Sequence, residues 1–160
     1  MGDARYDIPE PDAFTRTYWD AAAQGRLLLR RCADCGRAHH YPREFCPHCW
    51  SEHVTWEPAS GHATLYTWSV VHRNDLPPFG QRVPYVAAVV DLAEGPRMMT
   101  ELVESGTAEL RAGTPVDVAF RDGVPVFRLR KKTYPGHGTL DSMARWPTYA
   151  SGPSSTPSPS

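Results

Sequence analysis

Cysteine is absent from most of this 160-residue sequence, and its four cysteines all fall between residues 32 and 49. An excess of charge of either sign is also lacking, since seventeen Lys and Arg stand against eighteen Asp and Glu. This balance gives no global signal for wrapping nucleic acid or for lying on an anionic membrane. Any binding driven by charge must therefore come from a local cluster of residues.

Long apolar segments are absent as well. No window approaches the roughly 20 apolar residues of a membrane-spanning helix. The first residues, MGDARYDIPEPDAF, lack the basic start and apolar run of a secretory signal. We therefore expect a cytoplasmic protein, and in a reducing compartment clustered cysteines bind metal or do redox chemistry more often than they form structural disulfides.

The composition favours a mainly β fold. Sixteen prolines and twelve glycines interrupt the sequence so often that long helices are not expected beyond the N-terminus. Short strands joined by turns fit this punctuation, and an apolar fraction of 41% is enough for a core. The length allows one ordinary domain, or one domain with a small module attached.

The cysteines form two pairs with the spacing of a zinc ribbon. Cys32 and Cys35 make one Cys-x-x-Cys, and Cys46 and Cys49 make a second after ten intervening residues. Two such turns facing each other supply the tetrahedron of thiolates that zinc prefers. Because a module of about thirty residues buries too little apolar surface to fold alone, metal binding would supply the missing folding free energy.

Three other interpretations of the cysteines are free core thiols, two redox pairs and an iron site of rubredoxin type. A thioredoxin-like motif needs one pair opening a helix rather than two facing pairs. The iron alternative stays open, since a tetrahedral set of four sulfurs suits both metals. Four histidines lie near the cysteines, and with four thiolates closing the shell we expect them to be solvated or hairpin residues: His39, His40, His48 and His53.

The remaining sequence predicts a short helix and five strands. Asp12 is expected to cap a helix that places Phe14, Tyr18 and Ala22 on one face and stops at Gly25. Alternation of apolar and polar residues predicts a small antiparallel barrel, with Asp122-Gly123 as a tight hairpin turn between its last two strands. The five predicted strands are 62–73, 84–92, 97–105, 115–122 and 124–132.

The predicted organisation has four parts. They are an N-terminal helical segment (1–25), a rubredoxin-like zinc ribbon (26–60), a C-terminal five-stranded OB-fold barrel (61–132) and an extension (133–160) whose last ten residues are expected to be disordered. The loop of residues 74–82 is the better candidate for ligand contacts, because the connection between the last two strands is short. The extension carries large apolar side chains that favour a partner interface over packing on the barrel: Tyr134, Leu140, Met143, Trp146 and Tyr149.

A family likeness emerges from the order and spacing of these features. It rests on Gly25-Arg26-Leu27, the two cysteine pairs, Gly61, Pro84-Tyr85, Gly95-Pro96-Arg97-Met98-Met99 and Leu110-Arg111-Ala112-Gly113-Thr114-Pro115-Val116. Across roughly residues 12–131 the sequence resembles the zinc-ribbon plus OB-fold proteins labelled domain of unknown function thirty-five.

The resemblance implies a non-catalytic partner of thiolase-fold enzymes acting on acyl-CoA, including thiolases and aldolases that shorten steroid side chains. It implies a structural zinc and a role in forming the coenzyme A site of a hetero-oligomer. The basic end of the last strand, with Arg128, Arg130 and Lys131, would then meet coenzyme A phosphates. The alternative is a charged edge that discourages strand pairing.

The sequence disfavours two other functions. A nucleic-acid-binding ribbon and OB protein would need a basic groove interleaved with stacking aromatics, and the near-neutral charge disfavours it. An independent enzyme would need a nucleophile elbow, a phosphate loop or a metalloprotease motif, and the sequence contains none of these motifs. We therefore expect no turnover of acyl-CoA by this chain alone.

Overall fold

The computed structural model describes residues 9–106 and 109–131. In these ranges, helix α1 and strands β1–β8 follow one another in chain order, with a 3-10 turn between β4 and β5. Their bounds are α1 Arg16–Ala23, β1 Leu28–Cys32, β2 Ala38–His39, β3 Val54–Pro58, β4 His62–Val71, the 3-10 turn Phe79–Gln81, β5 Tyr85–Leu92, β6 Arg97–Val103, β7 Pro115–Arg121 and β8 Val124–Leu129.

Helix α1 starts one turn later than the predicted cap. Thr15 is the N-cap, whereas Asp12 belongs to the preceding turn and accepts the Thr15 backbone N–H at 2.6 Å. At the other end, Gly25 has φ of 74°, and the Arg26 N–H bonds to the Ala21 carbonyl. This Schellman motif needs a residue without a Cβ, which explains why the helix stops at Gly25.

The ribbon is a three-stranded sheet in the order β2-β1-β3. Strand β1 lies in the middle, and its whole length from Leu28 to Cys32 pairs antiparallel with β3. Arg31 also bridges the sheet, because its guanidinium donates to the Glu57 carboxylate with Nη2 and Oε1 2.7 Å apart.

The other five strands close a barrel in the order β4-β5-β6-β8-β7. Neighbouring strands are antiparallel, except that β6 and β8 run parallel and pair only at Leu102↔Phe127 and Val103↔Arg128. This arrangement confirms the predicted mainly β fold with a five-stranded OB barrel. The hairpin turn at Asp122-Gly123 is confirmed too, since both residues have positive φ.

The predicted alternation along the last two strands is only partly seen in burial, since residues on both faces of β7 are half-buried and Pro125, Val126 and Phe127 of β8 are all buried. Val116 and Phe127 are fully buried, while Val118, Phe120 and Leu129 pack partly buried against the same core. Arg128 lies on the exposed face. The inward residues of β7 and β8 therefore fill the barrel, as a strand period of two requires.

One apolar core joins the helix, the ribbon and the barrel. Tyr18 and Ala21 of α1 pack with Leu27 and Leu29 in the same buried cluster as Leu65 of the barrel. The ribbon tip has a separate small cluster of Cys32, Cys46 and Val54. The metal centre therefore lies beyond the reach of the main core. Among the described helices, none is long and apolar enough to cross a membrane.

Gly61 sits where the chain enters the barrel, and we predict that Gly61→Ala is markedly destabilising. Its φ is 80°, and an added Cβ would lie 2.6 Å from Cγ1 of Val118. The left-handed backbone costs roughly 1–2 kcal/mol, and the forced contact adds about 1–3 kcal/mol. Urea unfolding of zinc-loaded protein measures the loss.

Gly113→Ala is the matched control for this prediction. Gly113 has φ of 84°, but apart from its chain neighbours no described residue has an atom within 4 Å of an added Cβ. It should show the backbone cost alone, so equal losses for the two variants would contradict the predicted clash.

Candidate functional site

The four cysteine sulfurs converge at the tip of the ribbon. All four Sγ atoms lie within 4.8 Å of one another. Sγ of Cys32 lies 3.6 Å from Sγ of Cys49, and Cys35 and Cys46 are separated by the same distance. Bonds of about 2.3 Å from a tetrahedral metal would place its sulfurs about 3.8 Å apart. The donor set and its geometry therefore fit one tetrahedral metal ion.

Backbone amides prepare these sulfurs for binding a cation. The N–H groups of Cys35 and Asp34 favour the thiolate and lower the pKa of Cys32 to about 6. The Ser51 N–H has the same effect on Cys49, yet desolvation and the neighbouring sulfurs raise the pKa of Cys49 to about 12. Cys32 and Cys49 thus resist ionising together, and a divalent metal would remove that resistance.

A polar link outside the metal centre also holds the two knuckles together. The Asp34 carboxylate accepts the Ser51 hydroxyl at 2.5 Å and contacts Nδ1 of His53 at 3.3 Å. Ser51 Oγ in turn accepts the His53 backbone N–H at 2.9 Å. The serine is therefore bound to the aspartate rather than to the imidazole, so this group lacks the Ser–His contact of nucleophilic catalysis.

The two arginines of β1 make contacts of their own. The Arg30 guanidinium is buried, with its carbon 5.4 Å from the ring centre of Phe14 and 4.8 Å from that of Trp56. Arg31 pairs with Glu57 and donates to the Gly36 carbonyl at 2.7 Å. Arg30 thus packs the turn before α1 against β3, and Arg31 links β3 to the first knuckle.

The expectation of solvated or hairpin histidines holds, with two of the four exposed and two in or beside β2 of the ribbon hairpin. His48 and His53 are exposed, but His39 retains only 3% exposure. His40 is half-buried and shares a hydrogen bond with the Tyr18 hydroxyl at 3.2 Å. His39 lies on β2 and His40 beside it, and spacing relative to the cysteines gives no signal for the contact of His40 with α1.

The three basic residues predicted at the end of β8 lie together. Arg128, Arg130 and Lys131 line one cavity of about 340 Å³ with His62 and Asp117. The Asp117 carboxylate accepts Nε of Arg130 at 2.9 Å and contacts Nδ1 of His62 at 2.8 Å. The hydrogen bond from Arg130, followed by that from His62, lowers the pKa of Asp117. Arg130 is thus partly neutralised.

An apolar groove that the sequence analysis missed lies between α1 and the barrel. Its volume is about 300 Å³, and Met98, Met99, Tyr85, Trp19 and Tyr41 form much of its wall. The groove is open because β6 and β8 pair only at Leu102↔Phe127 and Val103↔Arg128, which leaves the first residues of the two strands unpaired with each other. Adjacent methionines in a strand are the one sequence signal that points to it. The candidate loop of residues 74–82 contributes Phe79 to its edge, whereas the predicted partner residues Tyr134, Leu140, Met143, Trp146 and Tyr149 lie outside the described residues.

Family models match both modules of the chain. A ChsH2 rubredoxin-like zinc ribbon domain matches residues 19–55, and a ChsH2 C-terminal OB-fold domain matches residues 56–121. The chain belongs to the ChsH2 family of DUF35 proteins. A DUF35 domain-containing scaffold protein of Methanocaldococcus jannaschii is 35% identical over 96 residues, which cover 59% of this chain and 67% of that protein.

Two further relatives of this DUF35 protein are named as parts of enzymes. A probable enoyl-CoA hydratase alpha subunit of Thermomonospora curvata is 36% identical over 116 residues, 69% of this chain but only 36% of that subunit. The solved Ltp2-ChsH2(DUF35) aldolase contains a chain with 34% identity and a TM-score of 0.67. That match covers 76% of this chain and 98% of the other.

We predict one tightly bound metal ion, zinc, on Cys32, Cys35, Cys46 and Cys49. Cys46→Ala should lose the metal and unfold the ribbon, because the local cluster around Cys46 and Val54 is too small to fold without it. Elemental analysis and near-ultraviolet circular dichroism measure both effects. His48→Ala, an exposed change inside the same knuckle, should keep the metal. Fresh protein without stoichiometric zinc or iron would contradict the prediction.

We also predict that His40 makes the protein sensitive to acid. Burial lowers the pKa of His40 from 6.5 to about 4. The unfolded state therefore takes up the proton first, so the stability is complete above pH 6.5 and declines as the pH falls toward 4. Between pH 7.5 and pH 5, His40→Gln should lose about 2 kcal/mol less unfolding free energy than the wild type.

Urea unfolding at the two pH values measures the effect of His40→Gln. His72→Gln is the control, since His72 is an exposed histidine at the end of β4. It should follow the wild type. Identical pH dependence of the His40→Gln variant and the wild type would show that His40 is not the titrating group.

Proposed function

We propose that this chain is a non-catalytic accessory subunit of a thiolase-fold enzyme that acts on acyl-CoA thioesters. The supporting observation is the match to the DUF35 chain of the Ltp2-ChsH2 aldolase, which covers 98% of that chain at 34% identity. Nearly the whole of one chain of that aldolase therefore has its counterpart here. The hydratase alpha subunit of Thermomonospora curvata is longer, so its activity supports the proposal only through the shared region.

The metal centre fits a structural role in such a subunit. Four thiolates complete a tetrahedral shell and leave no position for water or substrate. A resident zinc would supply folding free energy and a rigid tip to the ribbon, while the sulfurs of Cys32, Cys35, Cys46 and Cys49 hold it. The chemistry of thioester cleavage would then belong to the partner enzyme.

Coenzyme A would contact this subunit at the basic cavity beside β8. Arg128 and Lys131 are exposed and line the cavity with Arg130. Because Asp117 already accepts hydrogen bonds from Arg130, Arg128 and Lys131 are the better ligands for a phosphate. The enzyme partner would contact the C-terminal extension as well, through Tyr134, Leu140, Met143, Trp146 and Tyr149, since aromatic and methionine side chains are enriched at interface cores.

The test begins with capture of partners by the zinc-loaded protein in extracts of the source organism, followed by mass spectrometry. We predict that a thiolase-fold enzyme is recovered and that acyl-CoA turnover requires both proteins. Turnover by the isolated chain, abolished by a point substitution within it, would overturn the proposal. Capture of oligonucleotide-binding proteins, with salt-sensitive binding of single-stranded oligonucleotides, would favour the nucleic-acid alternative.

Charge removal in the reconstituted complex tests the coenzyme A contact. Arg128→Gln with Lys131→Gln should raise the apparent dissociation constant for acyl-CoA about tenfold or more, because charge-assisted hydrogen bonds are lost. Arg16→Gln, an exposed change on α1, is the control for a general effect of charge. If the double variant keeps the affinity for acyl-CoA, the basic end of β8 is a solvated edge and not a coenzyme A contact.

A further inference from the structure

The two cysteine knuckles share one backbone pattern. In the first, the Gly36 N–H bonds to the Cys32 carbonyl, and the Cys32 N–H bonds to the Arg37 carbonyl. In the second, the Trp50 N–H bonds to the Cys46 carbonyl, and the Cys46 N–H bonds to the Ser51 carbonyl. Gly36 and Trp50 therefore occupy the same position, four residues after the first cysteine of each pair.

That position requires a left-handed backbone. Gly36 has φ of 71° and Trp50 has φ of 62°. Glycine adopts this conformation without cost, whereas a residue with a Cβ pays roughly 1–2 kcal/mol, and a bulky residue there is rare. The first knuckle has the residue that its backbone needs, and the second has a tryptophan in its place.

The fold gains little from the Trp50 side chain. The indole is 73% exposed among the described residues. Its one ring partner there is Phe45, with centroids 5.3 Å apart and planes inclined by 20°. An aromatic pair contributes roughly 0.5–1.5 kcal/mol, which only about offsets the backbone strain. The local structure therefore does not explain a large exposed apolar side chain at this position.

We propose that Trp50, supported by Phe45 beneath it, is an anchor for a protein partner. The inference rests on the proposed function, and it assigns the partner enzyme's contact to the tip of the zinc ribbon. Tryptophan is among the residues that most often dominate interface energetics, and it does so by filling a desolvated pocket on the partner. The complementary surface is an apolar pocket with an acceptor for the indole N–H.

The charge around Trp50 favours a protein over a nucleic acid. Asp34, Glu44 and Glu52 are exposed on the same ribbon as Arg37 and Arg43, which leaves one net negative charge, and a zinc tetrathiolate would add two more. Phosphates would be repelled by this balance, while a protein pocket with Lys or Arg at its rim would be attracted. A second copy of this chain fits less well, because two stacked rings alone cannot supply the area that a stable dimer needs.

The decisive variant is Trp50→Gly, because it removes the indole and gives the second knuckle the residue found in the first. We expect zinc content to stay stoichiometric and the melting temperature to stay unchanged or rise. Affinity for the partner enzyme, measured with the reconstituted complex by calorimetry, should fall about thirtyfold or more, as at a hot spot. Tyr66→Ala is the control, since Tyr66 is an exposed aromatic on β4 whose φ is not positive. It should bind like the wild type.

Each other outcome has a separate meaning. If the wild type forms no complex with a thiolase-fold enzyme, the proposed function fails first and this inference with it. If the wild type binds and Trp50→Gly binds equally well, only the anchor is refuted. Reduced stability of Trp50→Gly would show that the indole packs against another part of this chain instead of against a partner. Loss of self-association or of oligonucleotide binding, with enzyme binding intact, would assign Trp50 to those partners and overturn the proposal.

Discussion

The fold depends on strand β1, which contributes both to the apolar core and to the metal centre. Leu28 and Leu29 at the start of β1 are buried in the core shared with α1 and the barrel, while Cys32 at its end belongs to the metal centre. Full-length pairing with β3 fixes the distance and direction between these two places. A hydrophobic core and a metal site are thereby joined by a rigid element rather than by a linker.

This arrangement suits a subunit that positions rather than reacts. The barrel is held by apolar packing, and the ribbon is held by sulfur ligands and by the link from Asp34 to Ser51. Both modules also share one apolar core with α1. Surfaces presented by the ribbon tip, the groove at Met99 and the basic cavity at Arg128 therefore keep fixed mutual positions, which is what a scaffold contributes to an assembly.

Much of this architecture could be predicted from the sequence, because it depends on local signals. The Cys-x-x-Cys pairs define the knuckles, alternation along β7 and β8 defines the inward face, and Asp122-Gly123 defines the hairpin. The burial of His40 could not be predicted, since it arises where the ribbon meets Tyr18 of α1. The role of Trp50 could not be predicted either, because its left-handed backbone is recognised only in the structure, by comparison with Gly36.

The turn at Gly123 also determines where the molecule can be engineered. A Cβ at Gly123 would lie only 3.5 Å from Cα of Ala23, so this hairpin is seated against α1. An epitope tag or fluorescent reporter inserted at Gly123 would displace α1 from the barrel. The β5–β6 turn has open space around Gly95. A reporter placed in that turn would leave the helix seated and could follow assembly in living cells.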